Sequence, residues 1–275
     1  MIGNEQPAGV GLIDEAVRNE IEERLRRVER EHGVRVLYAV ESGSRAWGFP
    51  SPNSDYDVRF IYAHPRDWYL ALDVEDRRDV IEYDIVDDID LNGWDLRKAL
   101  KLLGQSNPSI VEWLSSPIVY RDDGVLADRA RALLPDVYQV DKGVHHYLSM
   151  ADKNYQGYLK ARLVPLKKYF YVLRPLLAIR WLERYRSPAP IEFERLRPLV
   201  ADDETLNKEI TRLLARKQRS QEKEFVPVMD ELNDFIEQEL SRLSRYQGKS
   251  GPGAGDLRSL NTLFRDCLDT APETS

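Results

Sequence analysis

A chain of 275 residues with 42% hydrophobic content can bury a sizeable core, as one large domain or two modest ones. Its one cysteine, Cys267, excludes an internal disulfide and a cysteine-rich zinc site, and its four scattered histidines form no metal-finger spacing, so any metal must be held by oxygen. The net charge of −7 argues against a protein that coats nucleic acid.

The N-terminal half mixes predicted helices and strands. Apolar side chains recur at helical spacing before Gly33, and VRVLYAV and DYDVRFIY are rich in strand-forming residues. The predicted elements are, in chain order, a helix over 13–32, a strand over 34–40, a turn over 41–44, a short helix from Arg45, a turn over 49–54, strands over 55–62, near 79–85 and over 88–91, helices over 95–103 and 108–114, and a strand over 117–120.

The C-terminal half is predicted to be helical, because apolar stripes at helical spacing continue to residue 243. The segment QGKSGPGAG has the composition of a flexible linker, and a short helix is expected beyond it. We therefore expect an α+β fold in which a mixed sheet with flanking helices precedes a helical domain. The expected divisions are a mixed α/β domain over 1–122, a helical domain over 123–246, a linker over 247–255 and a helix with a tail over 256–275.

Two carboxylates stand on one face of the predicted strand 55–62. Side chains at i and i+2 leave a strand on the same side, so Asp55, Asp57 and Arg59 point one way while the apolar residues between them face the core. Two such carboxylates repel each other unless a cation lies between them. Mg²⁺, or Mn²⁺ in its place, is the expected cation, because it takes oxygen ligands and shares its shell with substrate phosphates. Arg59 could instead neutralise an aspartate or contact a phosphate, and the sequence favours neither.

The Gly-Ser turn supplies a second part of such a site. Gly43 allows close approach of the backbone to a ligand, Ser44 adds a hydroxyl donor and Arg45 can add charge, so these three are predicted to bind phosphate. An enzyme that transfers a phosphoryl or nucleotidyl group with two metal ions needs a third carboxylate. The segment DIDL offers Asp90 as the favoured candidate and Asp88 as the alternative.

A basic and aromatic segment interrupts the acidic chain. Residues 151–186 contain nine Lys or Arg against two acidic residues, which leaves +7 there and −14 elsewhere. Such a segment is commonly a solvated helix face, but it can also bind phosphates with lysines and stack tyrosines on bases. We favour nucleotide or RNA binding for three of its lysines: Lys153, Lys167 and Lys168.

Other conspicuous side chains are predicted to be structural. Aromatic rings usually fill the space between a sheet and its helices, and adjacent helical positions point about 100° apart, which suits packing better than metal binding. The residues assigned to packing are Trp47, Phe49, Trp94, Trp113, His145 and His146.

These motifs together resemble a known group of proteins. GSRAWGF, SDYDVRFIY, NGWDLRKALKLL, SNPSIVEWLSSPIVY, HYLSMADKNYQGYL and LKKYFYVLRPLLAIRW are similar to the nucleotidyltransferase superfamily typified by DNA polymerase beta, and within it to a subfamily that includes RNA-ligase-associated polynucleotidyl transferases. The likeness runs from about residue 34 to about residue 181. It implies that the domain over 1–122 is the catalytic domain, with a minimal nucleotidyltransferase sheet, and that the helical domain over 123–246 binds substrate.

The resemblance implies a metal-dependent transfer of a nucleoside monophosphate from a nucleoside triphosphate to a hydroxyl. The expected acceptor is an RNA 3′-end, in repair beside an RNA ligase, and the alternatives are a hydroxyl on a partner protein or a non-catalytic nucleotide- or RNA-binding module. No apolar run approaches the ~20 residues of a membrane span, and MIGNEQPAG lacks a basic stretch followed by an apolar one. We therefore expect a cytoplasmic protein without a membrane partner.

Overall fold

The computed structural model describes residues 13–221, 223–246 and 257–269. Its strands are β1 (Arg35–Glu41), β2 (Tyr56–Ala63), β3 (Val80–Glu82), β4 (Ile89–Asp95), β5 (Val119–Asp122), β6 (Leu163–Pro165) and β7 (Phe225–Pro227). Its helices are α1 (Glu15–His32), α2 (Gly43–Trp47), α3 (Arg66–Tyr69), α4 (Leu96–Gly104), α5 (Pro108–Leu114), α6 (Leu126–Val137), α7 (Val140–Tyr158), α8 (Leu166–Tyr185), α9 (Phe193–Leu196), α10 (Glu204–Lys217), α11 (Asp230–Leu243) and α12 (Leu257–Asp269).

The first five strands form one mixed sheet in the order β3-β4-β2-β1-β5. Strand β1 runs antiparallel to β2 and β5, β2 runs parallel to β4, and β3 runs antiparallel to β4. The predicted α+β fold, with a mixed sheet followed by helices, is confirmed. Because β2 and β4 are parallel, the residues that begin each strand lie side by side at one edge of the sheet.

The two faces of β2 have different cover. Val58 and Phe60 are fully buried and share an apolar cluster with α1, as the alternation of the strand predicts. Ile61 and Ala63 lie in a second cluster with residues of α4, α5, α6 and α12. Asp57 leaves the strand on the same side as Ile61 but nearer its start, where it keeps partial exposure. The helices therefore bury one end of this face and leave the charged end accessible.

The helical half has its own core, built mainly from α7, α8, α10 and α11. Phe49, which precedes β2 in the sequence, inserts into this core and stacks on Phe170 with the ring centroids 4.3 Å apart. Its predicted packing role is confirmed. The turn that leads into the charged end of β2 is thereby anchored to the helical half.

Several elements differ from their predicted form. Strands β6 and β7 pair antiparallel within the half predicted to be wholly helical. The sequence did not reveal them, because three-residue strands are too short to show a period of two. Strand β4 continues to Asp95, four residues beyond the predicted strand, and Asp95 then caps α4. The predicted linker over 247–255 lies outside the described residues, and the domain boundaries stay predictions. Within the described ranges, no helix is long and apolar enough to cross a membrane.

Candidate functional site

Two of the predicted carboxylates meet at the start of the paired strands β2 and β4. Asp57 and Asp90 are register partners, and about a quarter of each side chain is exposed, at 28% and 27%. Asp55 comes directly before β2. Asp88 is exposed, has a positive φ of 59° and precedes β4, so the structure brings Asp90 and not Asp88 beside Asp57.

Arg59 lies between the two carboxylates. Its Nη2 donates to Oδ1 of Asp57 at 3.0 Å and to Oδ2 of Asp90 at 2.7 Å, while Nη1 donates to the backbone carbonyl of Asp90 at 2.9 Å. Of the two interpretations left open by the sequence, neutralisation of the aspartates is the one that the structure shows. A cation is needed at this position because like charges this close together repel.

The backbone of Gly43 lies against the carboxylate of Asp57. A Cβ built at Gly43 would lie 1.9 Å from Oδ2 of Asp57, and the φ of +58° is a conformation that other residues rarely adopt. The N–H of Ser42 also donates to the backbone carbonyl of Asp57 at 2.8 Å. The glycine of the Gly-Ser pair therefore has a structural cause: only glycine leaves room for the second aspartate.

Glu41 is a site residue that the sequence analysis missed. It is fully buried at the end of β1, and its Oε1 accepts the backbone N–H of Asp57 at 2.9 Å while its Oε2 accepts the hydroxyl of Tyr120 at 2.5 Å. Burial raises the pKa of Glu41 to about 7, against the lowering effect of these hydrogen bonds. The available signal was a glutamate that ends an otherwise apolar strand immediately before the Gly-Ser turn.

Ser44 and Arg45 shape the turn that precedes β2. Helix α2 begins at Gly43 rather than at Arg45, so both residues lie in its first turn. Oγ of Ser44 donates to Oγ of Ser54 at 3.2 Å. The guanidinium of Arg45 donates to the backbone carbonyls of Ser54 and Asp55 at 2.6 and 3.2 Å, and it stacks 4.0 Å from the ring centre of Tyr56. Arg45 thus holds Asp55 in place, and its contact with phosphate stays a prediction.

A cavity of about 350 Å³, called the cleft below, separates this sheet face from the helical half. Arg59 lines one side, and Asn154 and Tyr171 line the other. Lys168 borders that second side, because its Nζ lies 3.4 Å from Oδ1 of Asn154 and 4.7 Å from the ring centre of Tyr171. One of the three predicted lysines therefore stands next to the cleft.

The other two lysines are placed less directly. Lys153 is exposed on α7, three residues after Met150, which lines the cleft. Residues three apart share a helix face, so Lys153 lies near the mouth of the cleft. Lys167 is partly buried in the first turn of α8. Their binding of nucleotide or RNA stays a prediction.

The paired carboxylates of the predicted metal site have the right chemistry for a divalent cation but are held by Arg59. The donors are all carboxylate oxygens, which suits Mg²⁺ or Mn²⁺. Among the described residues, however, no group of three or more acidic, histidine or cysteine side chains is arranged to hold a metal ion. Arg59 occupies the space between Asp57 and Asp90. A metal can share these two carboxylates only when Arg59 leaves at least one of them.

Comparison with known proteins shows the family of the chain. Uncharacterized protein YcgL from Bacillus subtilis (strain 168) is 46% identical over 255 residues, which cover 92% of this chain and 97% of that protein. A crystal structure of a nucleotidyltransferase-like protein from Exiguobacterium sibiricum 255-15 aligns over 90% of this chain and 89% of its own, with 13% identity and a TM-score of 0.31, which is too low to support an argument. The profile of RlaP, the RNA repair pathway DNA polymerase beta family, matches residues 17–266, and the chain belongs to that family.

Proposed function

We propose that the protein transfers a nucleoside monophosphate from a nucleoside triphosphate to the 3′-hydroxyl of an RNA. The observation that carries the proposal is the pairing of Asp57 and Asp90 on adjacent parallel strands, beside the Gly43 backbone. The family description adds RNA repair as the setting. In the reaction, the acceptor oxygen bonds to the α-phosphorus, the bond from the α-phosphorus to the α,β-bridging oxygen breaks, and pyrophosphate leaves.

The charged groups of the site have distinct proposed roles. Asp55, Asp57 and Asp90 would hold Mg²⁺ or Mn²⁺, which when bound would offset the negative charge of the phosphates. Glu41 holds the backbone of Asp57 by accepting its N–H, which fixes the direction of that carboxylate. An aspartate also receives the proton of the attacking hydroxyl. Arg59, once displaced from a carboxylate, can turn its charge toward a phosphate.

The remaining predicted residues bind the substrates in this proposal. Gly43 and Ser44 present the N–H groups of the first turn of α2 to the β- and γ-phosphates, since these groups have no partner inside a helix. Arg45 adds charge beside them while holding the turn. The lysines near the cleft attract the triphosphate and the RNA backbone: Lys153, Lys167 and Lys168.

Two other functions stay open as outcomes of the test. The net charge of −7 favours a hydroxyl on a partner protein as the acceptor more than it favours RNA. A non-catalytic nucleotide- or RNA-binding module is disfavoured, because paired carboxylates bridged by Arg59 have no use in simple binding of an anion.

An RNA ligase is a candidate partner of the protein. The cytoplasm is the expected location because both proposed substrates are found there.

The test follows a label from the α-phosphate. The protein is incubated with each α-labelled nucleoside triphosphate, Mg²⁺ or Mn²⁺, and an RNA oligomer that ends in a 3′-hydroxyl, beside the same oligomer blocked by a 3′-phosphate. We expect label on the unblocked RNA alone, with loss after chelation of the metal. The matched variants are Asp57→Asn, which should abolish transfer without unfolding the protein, and Asp88→Asn, which should retain it because Asp88 does not face the site.

Each other outcome has a defined meaning. Full turnover by Asp57→Asn would refute the assignment of the site. Label on a protein instead of RNA would move the acceptor to a polypeptide. Metal-dependent binding of a nucleoside triphosphate, with no label transferred to RNA or to protein from a cell extract, would favour the binding module.

A further inference from the structure

The floor of the cleft continues the sheet face that carries the carboxylates. Along β4, Asp90 is followed at intervals of two by Asn92 and Trp94, and alternate residues of a strand share a face. Arg59 is the register partner of Asn92 in the neighbouring strand. Trp94 lies four residues beyond Asp90, or about 13 Å at the rise of a strand. The cleft thus extends from Arg59, which bridges the two carboxylates, toward an aromatic end.

Aromatic rings from four elements form that end. Trp94 of β4 packs on Trp113 of α5 with centroids 4.0 Å apart and planes tilted by 37°. Across the cleft, Tyr171 of α8 makes an edge contact with Trp47 at 5.2 Å. The three tryptophans were predicted to be packing residues, and each does pack against an apolar cluster. Their position in the lining gives them a surface toward the cleft as well.

A buried ion pair fixes the helical wall of the cleft. Arg174 of α8 is 2% exposed, and its Nη2 lies 2.8 Å from Oε1 of Glu112 on α5. The same carboxylate oxygen accepts the hydroxyl of Tyr147 on α7 at 3.0 Å. The guanidinium of Arg174 also lies 4.6 Å from the ring centre of Trp47. Three helices and one aromatic ring are therefore held together, so the wall is formed before any ligand arrives.

We infer that the cleft receives the nucleobase of the nucleoside triphosphate, which stacks on the aromatic end formed with Trp94. This inference rests on the proposed function, because it takes the phosphates to lie at Asp57 and Asp90. A volume of about 350 Å³ suits a base with part of its ribose, and pockets lined by rings with a few polar groups are typical of such ligands. Stacking accepts any base, since every base has a π-face.

Equilibrium binding tests the inference without requiring transfer. Two ligands are titrated calorimetrically in the presence of Mg²⁺: a nucleoside triphosphate with a methylene group between its α- and β-phosphorus atoms, and inorganic tripolyphosphate, which has no base. We expect the wild type to bind the nucleotide analogue at least tenfold more tightly than it binds tripolyphosphate. Truncation of a stacking ring should weaken nucleotide binding about 5- to 100-fold and leave tripolyphosphate binding unchanged.

Two variants address the cleft, and one serves as a control. Trp94→Leu removes the proposed stacking ring. Met150→Trp fills the cleft from its partly exposed rim and removes no core residue, so it covers the case in which Trp94→Leu fails to fold. Trp68→Leu removes a tryptophan that stacks on His64 outside the cleft lining, and it should bind both ligands as the wild type does.

The outcomes separate this inference from the proposed function. Loss of nucleotide affinity in both cleft variants, with tripolyphosphate unaffected, supports it even where no transfer is detected. Unchanged nucleotide affinity in a folded Met150→Trp overturns it, whether or not transfer to RNA occurs. Equal weakening of both ligands also overturns it, because the cleft would then act on the phosphates. If the variants weaken binding of the RNA oligomer and not of the nucleotide, the cleft belongs to the acceptor and the inference is wrong.

Discussion

Replacement of Arg59 by methionine tests whether this side chain stands where a divalent cation binds. Its Nη2 contacts oxygens of Asp57 and Asp90 at 3.0 and 2.7 Å, so the two carboxylates lie within about 6 Å of each other. At that separation their repulsion is about 3 kcal/mol at an effective dielectric constant of 20 and below about 1 kcal/mol in bulk water. Because about a quarter of each carboxylate is exposed, we expect Arg59→Met to lower the free energy of unfolding by about 1 to 3 kcal/mol without metal.

Urea unfolding with and without Mg²⁺ measures this effect. We expect Mg²⁺ to restore most of the stability that Arg59→Met loses, because binding to the folded state alone stabilises it. The wild type should respond less, since Arg59 competes for the same oxygens. Arg78→Met is the matched control: it removes an exposed arginine paired with Glu82, should change stability by less than about 1 kcal/mol, and should respond to Mg²⁺ as the wild type does. An Arg59→Met protein as stable as the wild type, or insensitive to Mg²⁺, would refute the reasoning.

Three further predictions concern the surroundings of the carboxylates. Gly43→Ala should displace Asp57 and abolish transfer in the labelling assay. Its control is Gly33→Ala, which has a similar φ of +60° with open space around it, and which should cost about 1 kcal/mol in urea unfolding and leave transfer intact. Equal activity of the two variants would contradict the close approach of the Gly43 backbone to Asp57. The pKa of Glu41 rises from 4.5 to about 7 on folding, so the folded protein holds a proton that the unfolded chain releases first. The free energy of unfolding should therefore fall by about 3 kcal/mol between about pH 4.5 and about pH 7. Glu41→Gln should flatten the plot of the free energy of unfolding against pH over that range. An unchanged slope of this plot would refute the raised pKa of Glu41. The third prediction concerns the slope of the logarithm of the RNA binding constant against the logarithm of the salt concentration. Replacing a lysine that contacts a phosphate by alanine should make this slope shallower by about one unit, and an unchanged slope would exclude that lysine as a phosphate contact. The lysines to be replaced one at a time are Lys153, Lys167 and Lys168.

The carboxylate pair could be predicted from the sequence because it depends on local rules. Strand alternation put Asp57 and Arg59 on one face, and the predicted strand over 88–91 offered Asp90 as the third carboxylate. The pairing itself depends on β2 and β4 being parallel, which the sequence analysis did not predict. The choice between Asp90 and Asp88 likewise required the register.

Features that depend on burial could not be predicted. A glutamate such as Glu41 is almost always exposed, so its place at the end of an apolar strand did not by itself identify it as the buried acceptor of the Asp57 N–H. Arg45 has the charge expected of a phosphate ligand, but its direction follows from the fold of the turn before β2. Helix α12 packs on α4 and α6 although more than a hundred residues separate it from either, a contact that no periodicity reveals.

Lys217 links the helical half to the turn that precedes Asp55. This lysine of α10 is 2% exposed, and its Nζ donates to Oγ of Ser51 at 2.7 Å. The N–H of Ser51 in turn donates to Oγ of Ser54 at 2.9 Å, the residue directly before Asp55. A buried lysine at the junction of two cores positions the turn more firmly than surface contacts could, because its removal takes a charged donor from the buried Ser51 hydroxyl.

Lys217→Met should therefore affect both stability and rate. We expect a loss of about 1 to 3 kcal/mol in urea unfolding, since a hydrogen bond to a charged donor is removed inside the protein. A shift of about 1 Å in a catalytic group can cost about 100-fold in rate, so the single-turnover rate of labelling should fall while tripolyphosphate binding changes little. Lys208→Met, on the exposed side of the same helix, controls for the loss of one positive charge. If Lys217→Met is destabilised but labels RNA at the wild-type rate, the lysine only joins the two halves, and the position of Asp55 does not depend on it.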